Sequence, residues 1–166
     1  MTPLRVLILS MAGALAACGA FQQTEQPSFY QSLARPGAQL DSAAAASMIS
    51  GFRANNGLPP VTLDPALMKL AQAHAYEMAQ RDKLDRGGSK PAAARLKAKG
   101  YAAKSAAENV GAGYHTLAEA FSGWRDSKSH RAAMLLKNGT RLGIAAAFAP
   151  TSRYKVYWTM IIAEPG

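Results

Sequence analysis

The chain has 166 residues and a mass of 17.5 kDa, which leaves room for one domain with a short appendage and excludes a second full domain. Hydrophobic residues make up 49% of the chain and charged residues 17%, so it can bury a core and general disorder is excluded. The net charge of +9 attracts polyanions but does not by itself indicate nucleic acid.

Residues 1–17 have the pattern of a lipoprotein signal peptide. Arg5 precedes an apolar run that is too short for a membrane-spanning helix. The run ends in Leu15-Ala16-Ala17-Cys18, which resembles the lipobox of bacterial lipoproteins, where the cysteine is acylated and becomes the new N-terminus. We therefore predict lipidation of Cys18, the only cysteine of the chain; an ordinary signal peptide with an incidental cysteine is the alternative.

Residues 18–37 are predicted to form a flexible tether from Cys18, because they show no sustained hydrophobic period. Gly19, rather than aspartate, follows the cysteine, and by the same resemblance this implies sorting to the outer membrane. We expect an exported protein that is held at the membrane by lipid, on the periplasmic or the surface face, with a folded domain over 38–166. A periplasmic or secreted protein is the alternative.

Two helices are predicted at the start of the folded domain. The first covers about 41–55 and turns part of its apolar residues to the core. The second has Asp64 as N-cap and proline at its first position, and it runs to about Arg81. His74 lies on its apolar stripe, so we interpret it as a buried, hydrogen-bonded histidine, with lining of a cleft as the alternative.

Residues 81–104 form a basic patch. Eight basic and two acidic residues lie there, so the patch carries six of the nine net positive charges. No zinc finger, RNP-like aromatic motif or helix-turn-helix spacing accompanies it, and we expect no specific nucleic-acid binding. A short third helix is predicted from Pro91 to Gly100 within this patch.

The second half of the chain contains two short helices and two strands. Glu108 and its neighbours are predicted to be extended or in a tight loop, and Thr116 with Glu119 forms a capping box at the next helix. After another short helix, strands are predicted over 142–149 and 154–163. Helices followed by a terminal hairpin indicate an α+β fold, a three-layer α/β/α sandwich with a central antiparallel sheet.

Five segments carry a more specific signal because they occur together in one order. They are LAQAHAYEMAQRDKL, KPAAARLKAKGY, AENVGAGY, EAFSGWRDSKSHR, and RLGIAAAF with KVYWTMII. Together they resemble the bacterial branch of the CAP superfamily (SCP-like, YkwD-type domains) over roughly residues 40–163. The resemblance implies the α/β/α sandwich and an open cleft, in which family members gather histidines and carboxylates that can hold a divalent cation.

The resemblance also places individual residues. Glu108, in AEN, falls on the acidic cleft position, and His130, in SKSHR, falls on the histidine of the Ser-x-Gly-His-Arg motif. The family's other histidine is replaced here by Arg86, whose guanidinium is permanently cationic and cannot ligate a metal. We therefore expect no metal and no cofactor, with His130 and Glu108 as weak ligand candidates, and we expect Arg86 to pair with Glu108.

Two further interpretations stay open at this point. Asp126 either supports His130 from the end of the preceding helix or is a solvated surface carboxylate. His130 could instead cap the helix beginning near Arg131, although the resemblance favours a position in the cleft. The predicted ligand-binding cleft contains Glu108, His130, Arg86, His74 and Asp126.

These observations predict a non-catalytic binding module of the cell envelope. Its partner would be an envelope polymer or lipid that is anionic or amphipathic; the resemblance implies peptidoglycan, lipid or sterol-like ligands.

The alternative is a hydrolase of peptide, ester or glycan substrates, with His130 as general base and Glu108 as its orienting group or as acid. That alternative lacks a nucleophile, because Cys18 would be acylated and no serine lies in a Gly-x-Ser-x-Gly elbow. A structural lipoprotein with a vestigial cleft is a third interpretation. The sequence does not indicate the oligomeric state.

Overall fold

A computed structural model of the chain describes residues 26–88 and 90–166. The predicted signal peptide, the lipidation site at Cys18 and the first part of the tether lie outside these described residues. Within the described ranges, no helix combines the length and the apolar character that crossing a membrane requires.

In the described ranges the chain forms five α-helices and a sheet of four strands. The helices are α1 Ser42–Ala54, α2 Pro65–Arg81, α3 Ala92–Ala98, α4 Leu117–Asp126 and α5 Lys128–Met134. The strands are β1 Thr62–Leu63, β2 Ala103–Ala112, β3 Arg141–Phe148 and β4 Val156–Pro165. A single 3-10 turn, Ser28–Tyr30, precedes them.

The helix starts that were predicted from local signals are confirmed. The Asp64 side chain accepts hydrogen bonds from the backbone N–H groups of Ala66 and Leu67, and proline follows it at the first helical position. At α4 the Thr116 hydroxyl accepts from the Glu119 N–H, and the Glu119 carboxylate accepts from the Thr116 N–H. Both caps satisfy backbone donors that the first turn of a helix leaves without partners.

The sheet has the strand order β1-β3-β4-β2, with β2 at one edge. The β3–β4 hairpin and the β2–β4 pair are antiparallel, which confirms the predicted central antiparallel sheet. The short strand β1 pairs in parallel with β3 and was not predicted, because two residues carry no readable period. The prediction for the segment around Glu108 left a loop open; the structure shows a ten-residue strand there.

The helices cover both faces of the sheet, which confirms the three-layer sandwich. Helices α2 and α3 pack on one face, where they bury Leu67, Ala71 and Leu96. Helices α1, α4 and α5 pack on the other face, around Trp124 and Trp158, whose rings meet edge to face with centroids 6.1 Å apart. Edge-to-face contact is a favoured arrangement of buried aromatic rings.

Arg53 was not predicted to be buried, yet it is 0% exposed in α1. Its guanidinium donates to four backbone carbonyls, those of Pro59, Met134, Leu136 and Gly139, at 2.6–3.0 Å. Burial lowers the pKa of the guanidinium from its usual value. Pro59 lies in the loop after α1, Met134 is the last residue of α5, and Leu136 and Gly139 lie in the loop that follows α5. Arg53 therefore ties both of these segments to the core.

The predicted start of the folded domain at residue 38 is wrong for the described part of the tether. Leu33 is buried, and its N–H donates to the carbonyl of His115 at 2.7 Å. The Ser28 hydroxyl donates to the carboxylate of Asp41, the N-cap of α1, at 2.7 Å. A few apolar residues without a period are enough to add a segment to an existing core, so the domain begins before residue 34.

Candidate functional site

The candidate site lies along β2, the edge strand, on which Glu108 and Asn109 are neighbours. Because successive side chains of a strand point to opposite faces, these two project into different layers. Glu108 projects toward α2 and α3, and Asn109 projects toward α5. At these two adjacent positions, β2 therefore supplies one polar side chain to each face of the sheet.

Glu108 is held by two residues of the α2–α3 layer. Its Oε1 lies 2.9 Å from Nδ1 of His74, and its Oε2 accepts a hydrogen bond from Nη2 of Arg95. The Glu108 side chain is only 11% exposed. Burial alone would raise the pKa of the carboxyl, but the hydrogen bonds and charges of His74 and Arg95 outweigh burial, and the pKa of Glu108 lies below its usual value. An ionised carboxylate only accepts hydrogen bonds, so Nδ1 of His74 carries the proton.

The predicted pairing of Arg86 with Glu108 is wrong, because Arg95 makes that ion pair. Arg95 lies on α3, which packs directly against β2, and its side chain is 23% exposed. Arg86 lies in the loop after α2 and is exposed. Because α3 packs on β2, Arg95 lies close enough to pair with the Glu108 carboxylate. Arg86 lies on the exposed loop after α2 and does not make this ion pair.

His130 is held from the other side of the strand by Asn109. The His130 Nδ1 lies 3.0 Å from Asn109 Oδ1, and Asn109 Nδ2 donates to the backbone carbonyl of His130 at 2.9 Å. Since the amide nitrogen faces that carbonyl, Oδ1 is the acceptor and Nδ1 of His130 carries the proton. Burial and then the charge of Arg86 lower the pKa of His130, so near neutral pH its Nε2 has a free lone pair.

Glu108, His130 and Arg86 border one open groove along the edge strand, which we call the edge groove. It has a volume of about 510 Å³, and its other polar residues are Arg95, Asn109, Ser127 and Ser129. The structure thus brings together three of the five predicted cleft residues. It also adds Arg95 and Asn109, which sequence reasoning missed. Asn109 stands beside Glu108 in the AEN motif, and alternation along a strand is the signal that would have found it.

His74 does not border the edge groove, and it is buried and hydrogen-bonded as predicted. It lines a second pocket, between α2 and α3, whose walls include Leu70, Asp85 and Leu96. Glu108 and Arg95 border both cavities, so their ion pair forms the partition between the second pocket and the edge groove.

Asp126 is the second predicted cleft residue that the structure places elsewhere. Its side chain is 67% exposed and pairs with the neighbouring Arg125 at 2.8 Å. Of the two interpretations left open above, Asp126 is therefore a solvated surface carboxylate. The side chain that supports His130 is that of Asn109. The last turn of α4 points Asp126 to solvent because Trp124, two residues earlier, is on the buried face.

The donor atoms at the edge groove do not fit a divalent cation of the kind that the fold family can hold. Both oxygens of Glu108 are engaged, by His74 and by the guanidinium of Arg95, so Nε2 of His130 is the one histidine or carboxylate donor left free at the groove among the described residues. Two guanidinium groups border the same space. Across residues 26–88 and 90–166, no three residues among His, Cys, Asp and Glu are grouped as metal ligands.

An α/β/α sandwich with a glutamate and a histidine on an edge groove defines an SCP-type domain. The chain belongs to the CAP family, the cysteine-rich secretory protein family, whose model matches residues 46–162. It is also 30% identical over 94 residues to the Bacillus subtilis protein YkwD, an alignment that covers 55% of this chain and 37% of that protein. The chain therefore spans well under half the length of this relative.

Solved structures share the same fold. An extracellular protein of Bacillus anthracis with an SCP domain superposes with a TM-score of 0.61 at 20% identity, over 74% of this chain and 39% of that one. An outer surface protein of Borrelia burgdorferi superposes with a TM-score of 0.65 at 16% identity, over 78% of this chain and 99% of that one. At these identities the similarity establishes the fold alone.

Proposed function

We propose that this protein is an exported lipoprotein, anchored through Cys18, whose CAP domain binds an anionic component of the cell envelope in the edge groove without catalysis. The lipobox-like sequence at Cys18 supports the anchor. The extracellular and outer-surface relatives support export. The ligand classes that fit are peptidoglycan and anionic lipid, because both present carboxylate or phosphate groups.

The observation that carries the proposal is the charge balance of the edge groove. The only carboxylate that borders it, within the described residues, is Glu108, and Arg95 neutralises that charge. Arg86 makes no ion pair within the same residues, so its positive charge is available to a ligand. Hydroxyl groups of Ser127 and Ser129 add neutral hydrogen-bond donors at the border. The groove therefore favours an anion that carries hydrogen-bond acceptors.

A hydrolase is the second candidate, and the His130–Asn109 pair is the observation that favours it. The amide fixes the ring with Nδ1 protonated, which leaves Nε2 as a base near neutral pH. Glu108 does not orient this ring, contrary to the prediction for the hydrolase. The Ser127 and Ser129 hydroxyls contact each other at 3.3 Å and not the imidazole, so such an enzyme would have to activate water.

The test measures binding of the full-length purified protein to isolated sacculi, to anionic vesicles and to zwitterionic vesicles. We expect binding to one of the two anionic surfaces, weakened about tenfold or more in Arg86→Ala, since a hydrogen bond to a charged group contributes about 1.5–3 kcal/mol. Arg125→Ala is the matched control, because it removes the same charge from an exposed site outside the edge groove. Equal losses in the two variants would show that general charge, not the groove, binds the surface.

The same preparations separate binding from catalysis. A binding module leaves peptide, ester and glycan substrates intact, in wild type and in His130→Ala alike. A hydrolytic rate that disappears in His130→Ala and falls in Asn109→Ala would establish the hydrolase instead.

A further inference from the structure

The loop between α2 and α3 carries Arg86, and two of its described residues, Gly87 and Lys90, contact one side chain, Arg95. Nη1 of Arg95 donates to the backbone carbonyl of Lys90 at 2.6 Å, while its Nη2 donates to Glu108. The planar guanidinium thus joins the loop to the edge strand through two separate donors.

Gly87 makes the contact between this loop and Arg95 close. Its φ is +78°, and a Cβ at this position would lie 2.6 Å from Nε and Nη2 of Arg95, nearer than real Cβ atoms approach. The backbone of Gly87 therefore lies directly on the guanidinium. Gly88 has a similar φ of +63°, but a Cβ there would meet nothing within 4 Å. Both glycines suit the left-handed backbone, and Gly87 alone of the two also needs the space.

The turn that carries Arg86 is closed by one hydrogen bond between the residues on either side of it. Asp85 accepts a hydrogen bond from the Gly87 N–H at 2.7 Å, which together with the charges of His74, Arg81 and Arg95 lowers the pKa of the Asp85 carboxyl. Arg86 lies between these two residues and borders the edge groove with His130. Among the residues that the structure describes, no side chain pairs with Arg86, so the turn formed by its neighbours is what positions it.

We propose that Arg95 is a positioning residue: by fixing Gly87 and Lys90 against Glu108, it places Arg86 beside His130 as a preformed pair for an oxyanion in the edge groove. The oxyanion rests on the proposed function, whereas the placement of Arg86 stands on the contacts alone. In this arrangement Glu108 contributes to ligand binding without touching the ligand. It anchors Arg95, and Arg95 holds the loop that carries Arg86.

The test is the titration of His130, followed by NMR in the full-length protein without ligand. Arg86→Ala removes the positive charge beside the imidazole, so the pKa of His130 rises. Gly87→Ala keeps both arginines but forces the loop and the guanidinium apart, and we expect the pKa to rise in the same direction. Gly88→Ala is the matched control: it imposes the same backbone strain without a contact to Arg95, and it leaves the titration as in wild type.

A double variant separates positioning from a general loss of structure. In Arg86→Ala/Gly87→Ala the titration of His130 should equal that of Arg86→Ala, because the loop then has no charge to place. Arg95→Lys, which keeps the charge but not the two-donor geometry, should act like Gly87→Ala and covers the case in which Gly87→Ala does not fold. Wild-type titration in Gly87→Ala and Arg95→Lys overturns the proposal, as does an equal effect of Gly88→Ala. Since no ligand is present, failure of envelope binding would not alter this outcome.

Discussion

The carboxylate of Glu108 and the imidazole of His74 meet across the interface between β2 and α2, with 2.9 Å between Oε1 and Nδ1. With Arg95 on the other oxygen, this carboxylate joins an edge strand to two helices of one layer. The result is a polar contact that is nearly closed to solvent and that forms the wall between two cavities. Its stability should therefore depend on the ionisation of Glu108.

The first prediction concerns the loss of stability at acidic pH and the part of it that is due to Glu108. The pKa of Glu108 is lower in the folded chain than its ordinary value of 4.5, so its contribution is complete above 4.5 and is lost as pH falls through the folded-state pKa. Urea unfolding at a series of pH values should show a steeper acid loss in wild type than in Glu108→Gln. At neutral pH that variant should be less stable by roughly 3 kcal/mol, because it removes the counter-ion of the partly buried Arg95 and places an amide N–H group against one of the two donors.

Glu77→Gln is the control for this experiment, because Glu77 pairs with Arg81 on the surface of α2. We expect it to change the free energy of unfolding by less than about 1 kcal/mol. If the free energy of unfolding fell equally steeply with decreasing pH in wild type and in Glu108→Gln, the acid dependence of stability could not be assigned to this carboxylate.

Arg53→Met is predicted to be severely destabilising. The substitution removes the donor of four backbone carbonyls in a site with 0% exposure, and buried acceptors without partners are costly. We expect a loss of about 3 kcal/mol or more in the free energy of unfolding, measured by urea denaturation. Arg125→Met, at an exposed position, should stay within about 0.5 kcal/mol of wild type. A similar small change for Arg53→Met would show that the loops do not depend on it.

A pair of glycine substitutions tests the packing of the sheet on α2. A Cβ at Gly143 of β3 would overlap the backbone carbonyl of Leu67, so Gly143→Ala should cost about 2 kcal/mol or more. A Cβ at Gly51 of α1 would meet nothing within 4 Å, and Gly51→Ala should stabilise the helix by up to about 1 kcal/mol. Thermal unfolding of the two variants should thus shift in opposite directions; an unchanged or raised melting temperature in Gly143→Ala would contradict the close approach of β3 and α2.

Lipidation at Cys18 is tested by mass spectrometry of the protein extracted from bacterial membranes. We expect a mature chain that begins at Cys18 with attached acyl groups, and a Cys18→Ala variant that leaves the membrane fraction. A wild-type chain that is cleaved elsewhere and carries no lipid would remove the anchor from the proposal while leaving the edge groove unaffected.

The sequence predicted much of the fold because its signals are local. Asp64 with Pro65, and Thr116 with Glu119, are caps whose partners lie within three residues, so chain order alone specifies the helix starts. The long apolar runs of β3 and β4 predicted the hairpin. The edge strand β2 was left ambiguous, because Ala, Lys, Ser and Glu provide no strong strand pattern, and its pairing with β4 is what makes it a strand.

The candidate site divides in the same way. The resemblance to the CAP superfamily implied that Glu108 and His130 lie in one cleft, and the apolar stripe of α2 predicted that His74 is buried. Which arginine reaches Glu108, Arg86 or Arg95, was decided only in three dimensions, as was the support of His130 by Asn109 instead of Asp126. The physical reason is that the packing of helices and strands decides which residues from distant parts of the chain lie close together. A long polar side chain pairs with whichever suitable group this packing brings within its reach.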